Sequence, residues 1–204
     1  MTTTLDQQPR NTTSVPIHEA LARRWSPRGF DAEYVLPEED LTALGEAARW
    51  APSAGNRQPT RFIVAARGTE SFDRILGALM GFNQAWTPRA SLLIVAIAEL
   101  ERDGKPLRWA EYDLGQAVAH LSIEAESRGL HVRQMGGFRV DELRAAFDLA
   151  PELEPVSLVA VGKLADAEDV PEAIRERDAA PRTRRDLAEL TIVRDVRAGS
   201  PRHP

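Results

Sequence analysis

The sequence predicts one domain of three layers, α+β or α/β, with helices on both faces of a sheet. Three observations point there. Two continuous apolar runs, residues 92–98 (LLIVAIA) and 156–161 (VSLVAV), read as strands buried on both faces. Helical patterns outnumber the strands and separate them along the chain. The 204 residues, 43% hydrophobic and 28% charged, suffice for a core that buries roughly 70% of the unfolded chain's surface.

The elements follow in order. Residues 1–14 are polar, rich in Thr, Gln and Asn, and read as a tail. Val15-Pro16 opens a short helix to about Arg24, because proline fits a first turn. Pro37-Glu38-Glu39-Asp40 starts a second helix, with proline and acids in its first turn. Leu41, Leu44, Ala48 and Ala51 keep one apolar face, and Pro52 stops it. Residues 62–66 read as a strand and 71–79 as a helix. After strand 92–98 comes a short segment, 99–108. Residues 109–128 form the longest helical pattern, in which Ala110, Leu114, Ala117, Val118, Leu121 and Ala125 recur at helical spacing. Gly129 stands where a C-terminal cap belongs. Residues 140–147 form another short helix, before strand 156–161. Residues 166–189, charged and proline-bearing, read as an extended arm, with 190–193 as one more strand. The domain so defined spans 15–194, and 195–204 is tail.

Composition excludes several functions. The count of 26 basic against 31 acidic residues gives −5, which argues against a nucleic-acid partner. The chain has no cysteine, so disulfides, thiolate nucleophiles and Cys-based metal sites are ruled out. His18, His120, His131 and His203 lack metal-ligand spacing, and no metal is expected. No run reaches the ~18 apolar residues of a membrane span. The N-terminus lacks the apolar core of a secretory signal, so a cytoplasmic protein with no membrane partner is expected. Neither buried strand leads into G-x-G-x-x-G, which leaves a Rossmann fold unsupported.

Five clusters could carry chemistry, and each also has a plain structural reading. In RRWSPRGF, Arg23, Arg24 and Arg28 flank Ser26. Guanidiniums match phosphate oxygens in planar, bidentate pairs, but arginines also complement a helix C-terminus. In APSAGNRQP, small residues would let backbone N–H groups approach a ligand, and Asn56 and Gln58 both donate and accept. The same letters suit an ordinary turn. Phe82-Asn83 and Gly136-Gly137-Phe138 read equally as ligand loops or as turns. Arg182-Thr183-Arg184-Arg185 is a second phosphate candidate or a solvated charge run.

Taken in order along residues 20–193, RRWSPRGFD, APSAGNRQP with a strand FIV, FN, GGF, PVSLVAVGK and PRTRR together resemble the flavin mononucleotide (FMN)-dependent nitroreductase family. The resemblance implies a central, mostly antiparallel sheet flanked by helices, with an extended C-terminal arm. It implies bound FMN, NAD(P)H as co-substrate, and a small electron-poor acceptor such as a nitroaromatic or a quinone. Arg24 and Ser26, with Arg23 beside them, match early phosphate and ribityl contacts, and Arg182 and Arg184 a late phosphate pair. Arg28 matches a basic residue at the flavin's pyrimidine edge. Asn83 matches an asparagine on the ring, and Gly136 and Gly137 a loop whose backbone N–H faces N5. Pro52, Ser53, Ala54 and Asn56 match a loop donated across a homodimer interface where the flavin lies. The small residues of helix 109–128 and the long arm suit such a dimer. The resemblance also admits a narrower dehydrogenase or dehalogenase of one metabolite, or a flavin-binding protein with little turnover.

The chain departs from the family at three places. Thr60 stands where many members have an aromatic residue, Gly136 where many have an acid, and segment 99–108 is short. Candidate pocket walls are Thr60, Phe82, Trp86, Trp109 and Tyr112, of which the tryptophans and Tyr112 serve equally well as core.

Overall fold

The computed structural model describes residues 11–196. The tail readings for 1–10 and 197–204 fall outside them. Eight helices and two sheets occur among the described residues. The main sheet has strands β1 (Thr60–Ala66), β2 (Leu92–Glu99), β5 (His131–Met135) and β6 (Leu153–Gly162), in the order β1-β2-β6-β5. Every neighbouring pair is antiparallel, so the architecture is α+β, as the resemblance implied.

β2 is central and all eight of its residues are buried. Its side chains alternate between two cores, as a period of two requires. Leu92, Ile94, Ala96 and Ala98 face helices α2 (Glu38–Arg49) and α5 (Ala110–Ser127), meeting Leu44, Leu114 and Leu121. Leu93, Val95 and Ile97 face α3 (Glu70–Ala78) and α6 (Val140–Phe147), meeting Phe72, Ile75 and Leu143. Leu93 is fully buried, and truncating it to alanine would cost about 2–5 kcal/mol. The β2–β6 register slips between Ala96 and Ile97, where Pro155 takes a pairing position. Proline has no N–H to give the ladder, so a bulge forms beside it.

Several boundaries differ from the sequence reading. Helix α1 (Glu19–Arg23) starts four residues late, because the side chain of His18, not Pro16, caps it by accepting from Ala20 N–H. β5 has no sequence counterpart: HVRQM is polar, and as an edge strand it pairs only with β6. Segment 99–108 folds into a small hairpin, β3 (Glu101–Arg102) and β4 (Lys105–Pro106). Asn83 lies not in a simple turn but on a short helix, α4 (Asn83–Trp86).

The arm is not wholly extended either. It contains α7 (Glu172–Ala179) and a helical turn α8 (Leu187–Leu190). Val170 and Ile174 anchor the first part in the core with Phe30 and Trp86. The expected strand at 190–193 does not form: these residues pair with no strand, and Ile192 is wholly exposed. No helix among the described residues is long and apolar enough to cross a membrane.

Candidate functional site

The two arginine groups of the sequence meet. Arg24, Trp25, Ser26 and Arg28 line one cleft of about 230 Å³ with Arg182 and Arg184. α1 ends at Arg23, and the chain then runs extended past Ser26. The arm brings the later pair alongside, where an Arg182 guanidinium N–H donates to the Arg24 carbonyl at 3.3 Å across 158 residues of sequence. Arg24 itself donates to Ser26 Oγ at 3.3 Å. Its pKa is pushed down, first by burial and then by repulsion from Arg184, against a smaller opposing pull from Glu126. Two guanidiniums this close disfavour each other's charged form.

Arg133 and Arg177 also line this cleft and were not found in the sequence. An isolated arginine on a polar strand, or in a charged arm, carries no signal by spacing. Among the described residues, the one carboxylate lining the cleft is Asp178. It accepts from Arg28 N–H at 2.7 Å, Gly29 N–H at 3.1 Å and the Arg28 guanidinium at 3.0 Å. That clamp docks α7 on the Trp25–Phe30 segment. It also commits the Arg28 charge, which the resemblance placed at a ring edge. Arg23 points elsewhere: it does not line the cleft but pairs with Glu19 at 2.5 Å and lies 3.8 Å from buried Glu126 of α5. Glu126 in turn lies 3.4 Å from His131 Nδ1, tying α1, α5 and β5 together just behind the cleft.

Asn83 and the Gly136-Gly137 loop come together at one place. Asn83 Nδ2 donates to the Gly137 carbonyl at 3.4 Å. A Cβ on Gly137 would stand 3.0 Å from that Nδ2, so the loop sits tightly against the amide. Gly136 is exposed and has nothing within 4 Å of a built Cβ. Phe82 is half-buried, with the Arg177 guanidinium 3.9 Å from its ring centroid, which links this corner to the arginine cleft.

The loop at residues 52–58 is separate. Buried Asp113, in the first turn of α5, accepts from Ala54 N–H at 3.0 Å, and Ser53 Oγ accepts from Gln58 N–H at 3.0 Å. Gly55, Asn56 and Gln58 all have left-handed backbone. Pro52, Ser53 and Asn56 border an open cleft of about 490 Å³ with Thr60, and none of its lining residues lines the arginine cleft. Ser122, nine residues beyond Asp113 on α5, borders the groove beside Arg24 and Ser26. Those nine residues span about 14 Å of helix.

Of the remaining wall candidates, Trp86 must be corrected. It is fully buried, packed on Phe30 at 5.9 Å, and is core. Trp109 and Tyr112 are 52% and 66% exposed and meet edge to face at 6.4 Å. They lie on the 52–58 side, where Trp109 borders a second cleft with Ala54 and Arg57.

Comparison with known proteins shows the family. The family model described as "Nitroreductase family" matches residues 21–85 and 73–163. This chain belongs to the nitroreductase family. Among solved structures it is similar to one described as "the oxidoreductase containing FMN", with TM-score 0.82 and 32% identity, covering 98% of this chain and all of the other. Among curated proteins it is 39% identical over 140 residues to an uncharacterized 15.4 kDa protein of Mycolicibacterium smegmatis, covering 65% of this chain and 94% of that one. It is also 25% identical over 188 residues to "Putative NAD(P)H nitroreductase YdgI" of Bacillus subtilis, covering 72% and 88%.

Proposed function

We propose that the chain is an FMN-dependent oxidoreductase that takes hydride from NADH or NADPH and passes it to electron-poor acceptors such as nitroaromatics or quinones. The observation that carries this reading is the convergence of Arg24 and Ser26 with Arg182 and Arg184 on one cleft. The donor set fits a phosphate monoester: several guanidiniums and a hydroxyl, one carboxylate among the described residues, and an Arg24 pKa held down by burial and then by Arg184.

Arg24, Ser26, Arg182 and Arg184 would hold the phosphate. The Asn83 carboxamide and the backbone of Gly136-Gly137 would hold the polar edge of the ring, and glycine there leaves room for a flat group. Bound FMN supplies reversible two-electron chemistry that no side chain here provides. The protein's own work is to bind, orient and stabilise charge on the reduced ring. The 52–58 loop lies at the other end of α5 from Ser122 and the cleft. The two clefts share no lining residue, and the family resemblance has the loop reach the flavin of a second copy, so we read the protein as a homodimer on that ground.

The test is direct. The purified protein should absorb as a flavoprotein and release FMN on denaturation, and NADH or NADPH should bleach it in stopped flow. A colourless protein that takes up no added FMN would sink the proposal.

A further inference from the structure

Arg133 is the odd residue of the cleft. It sits on edge strand β5, where its neighbours Trp86 and Met135 belong to an apolar core. Its guanidinium stacks over the Trp86 ring, 5.6 Å from the centroid, and one Nη donates to the Ser26 carbonyl. Its Nε is shut away from solvent and has no hydrogen-bond partner. Burial first, then repulsion from Arg28, pushes its pKa down to about 10, and Asp178 only partly offsets them. Asp178 already serves three donors from Arg28 and Gly29.

The ring contact and the bond to Ser26 occupy one face and one Nη of the guanidinium and leave its Nε without a partner. The β5–β6 ladder is made by backbone groups, and an apolar side chain would fill the space against Trp86. A buried donor without a partner and a charge that Asp178 only partly compensates both oppose folding of the empty protein. Such a group is retained where a ligand completes it. The cleft beside it is lined by five further arginines, Arg24, Arg28, Arg177, Arg182 and Arg184, against one carboxylate among the described residues, Asp178, so the ligand is an anion.

We propose that Arg133 is the floor of the cleft, a phosphate-binding residue that completes the anion site of Arg24, Arg182 and Arg184. The proposal rests on the flavin reading for the identity of the anion, but not for its charge. It separates Arg133 from a purely structural arginine, which would hold Ser26 in place and contribute nothing to an anion.

The experiment compares wild type, Arg133→Met and Arg133→Lys as full chains. Each is titrated with FMN and with riboflavin, and the apoprotein is melted with and without inorganic phosphate. Arg133→Met should weaken FMN about tenfold to hundredfold, the loss of one charge-assisted hydrogen bond. Riboflavin, which lacks the phosphate, should bind the variant and wild type alike. Phosphate should raise the melting temperature of wild-type apoprotein but not of Arg133→Met, which by itself should melt no lower than wild type. Arg133→Lys should recover part of the phosphate response. Equal losses for FMN and riboflavin would overturn the proposal. So would a lower-melting Arg133→Met apoprotein that still responds to phosphate. If no flavin binds wild type while phosphate still stabilises it through Arg133, the flavin reading fails and the anion site stands.

Discussion

Left-handed backbone outside glycine occurs at Asn56, Gln58, Asp103 and Asp148 among the described residues. Asp148 is the simplest to interpret, because it ends α6 with φ 48° and is exposed. A glycine there would adopt the same conformation without the cost of a Cβ. Asp148→Gly should raise stability by up to about 1 kcal/mol, seen as a melting temperature higher by about 2–4 °C. A lower melting temperature would show that Asp148 makes a compensating contact. At Arg184 the expectation has two parts. Arg184→Ala should weaken FMN by roughly 1.5–3 kcal/mol. It should also leave the apoprotein no less stable, since it relieves repulsion on Arg24. Calorimetry with and without flavin reads both. The sequence made Arg24, Ser26, Arg182 and Arg184 legible because they cluster in short motifs of one chemistry. Asp178, Arg177 and Arg133 were not legible, because each acts alone and its place is set by tertiary packing.

At the scale of elements, the hairpin β3–β4 is held to the sheet by charge. Glu99 at the end of β2 accepts from Arg61 Nη2 at 2.6 Å and from Arg102 Nη2 at 2.5 Å. The Arg102 hydrogen bond holds the Glu99 pKa below its ordinary value, outweighing burial, with the Arg61 charge assisting. A depressed carboxyl pKa contributes stability above the unfolded value of about 4.3 and loses it as the pH falls through the lower folded value. Glu99→Gln should therefore melt below wild type at pH 7, and the gap should close below about pH 4. A gap independent of pH would assign the loss to packing instead. The central strands β2 and β6 and helix α5 were readable from apolar runs and helical spacing, since burial fixes both. β5 was not, because an edge strand with one neighbour needs no apolar run. The apolar letters at 190–193 suggested a strand, but in a single chain no sheet edge pairs with them.

At the scale of the molecule, the unanswered surface is the arm. Leu187, Leu190, Ile192 and Val193 are 66% to 100% exposed, an apolar stretch that a second copy of the chain would cover. Sedimentation should find a dimer, and deleting residues 186–204 should loosen it more than deleting 1–14. A fully flavinylated monomer would overturn this. If hydride donor and acceptor share one open flavin face, initial-rate plots at several acceptor concentrations should run parallel. Intersecting lines would require both substrates bound at once.

The cleft's two halves are separated by 158 residues between Arg24 and Arg182, and that separation sets an order in time. During synthesis Arg24 and Ser26 leave the ribosome long before the arm exists. The sheet between them can pair first, since domains fold as their chain emerges. If Arg182 and Arg184 hold the phosphate as proposed, cofactor capture waits for them, and holding flavin would certify that the ribosome has read through the arm. A released chain truncated before residue 181 should carry a folded sheet and no colour. The same logic exposes the finished protein to a single proteolytic cut just after α7, which would empty the cleft while leaving Val170 and Ile174 in the core.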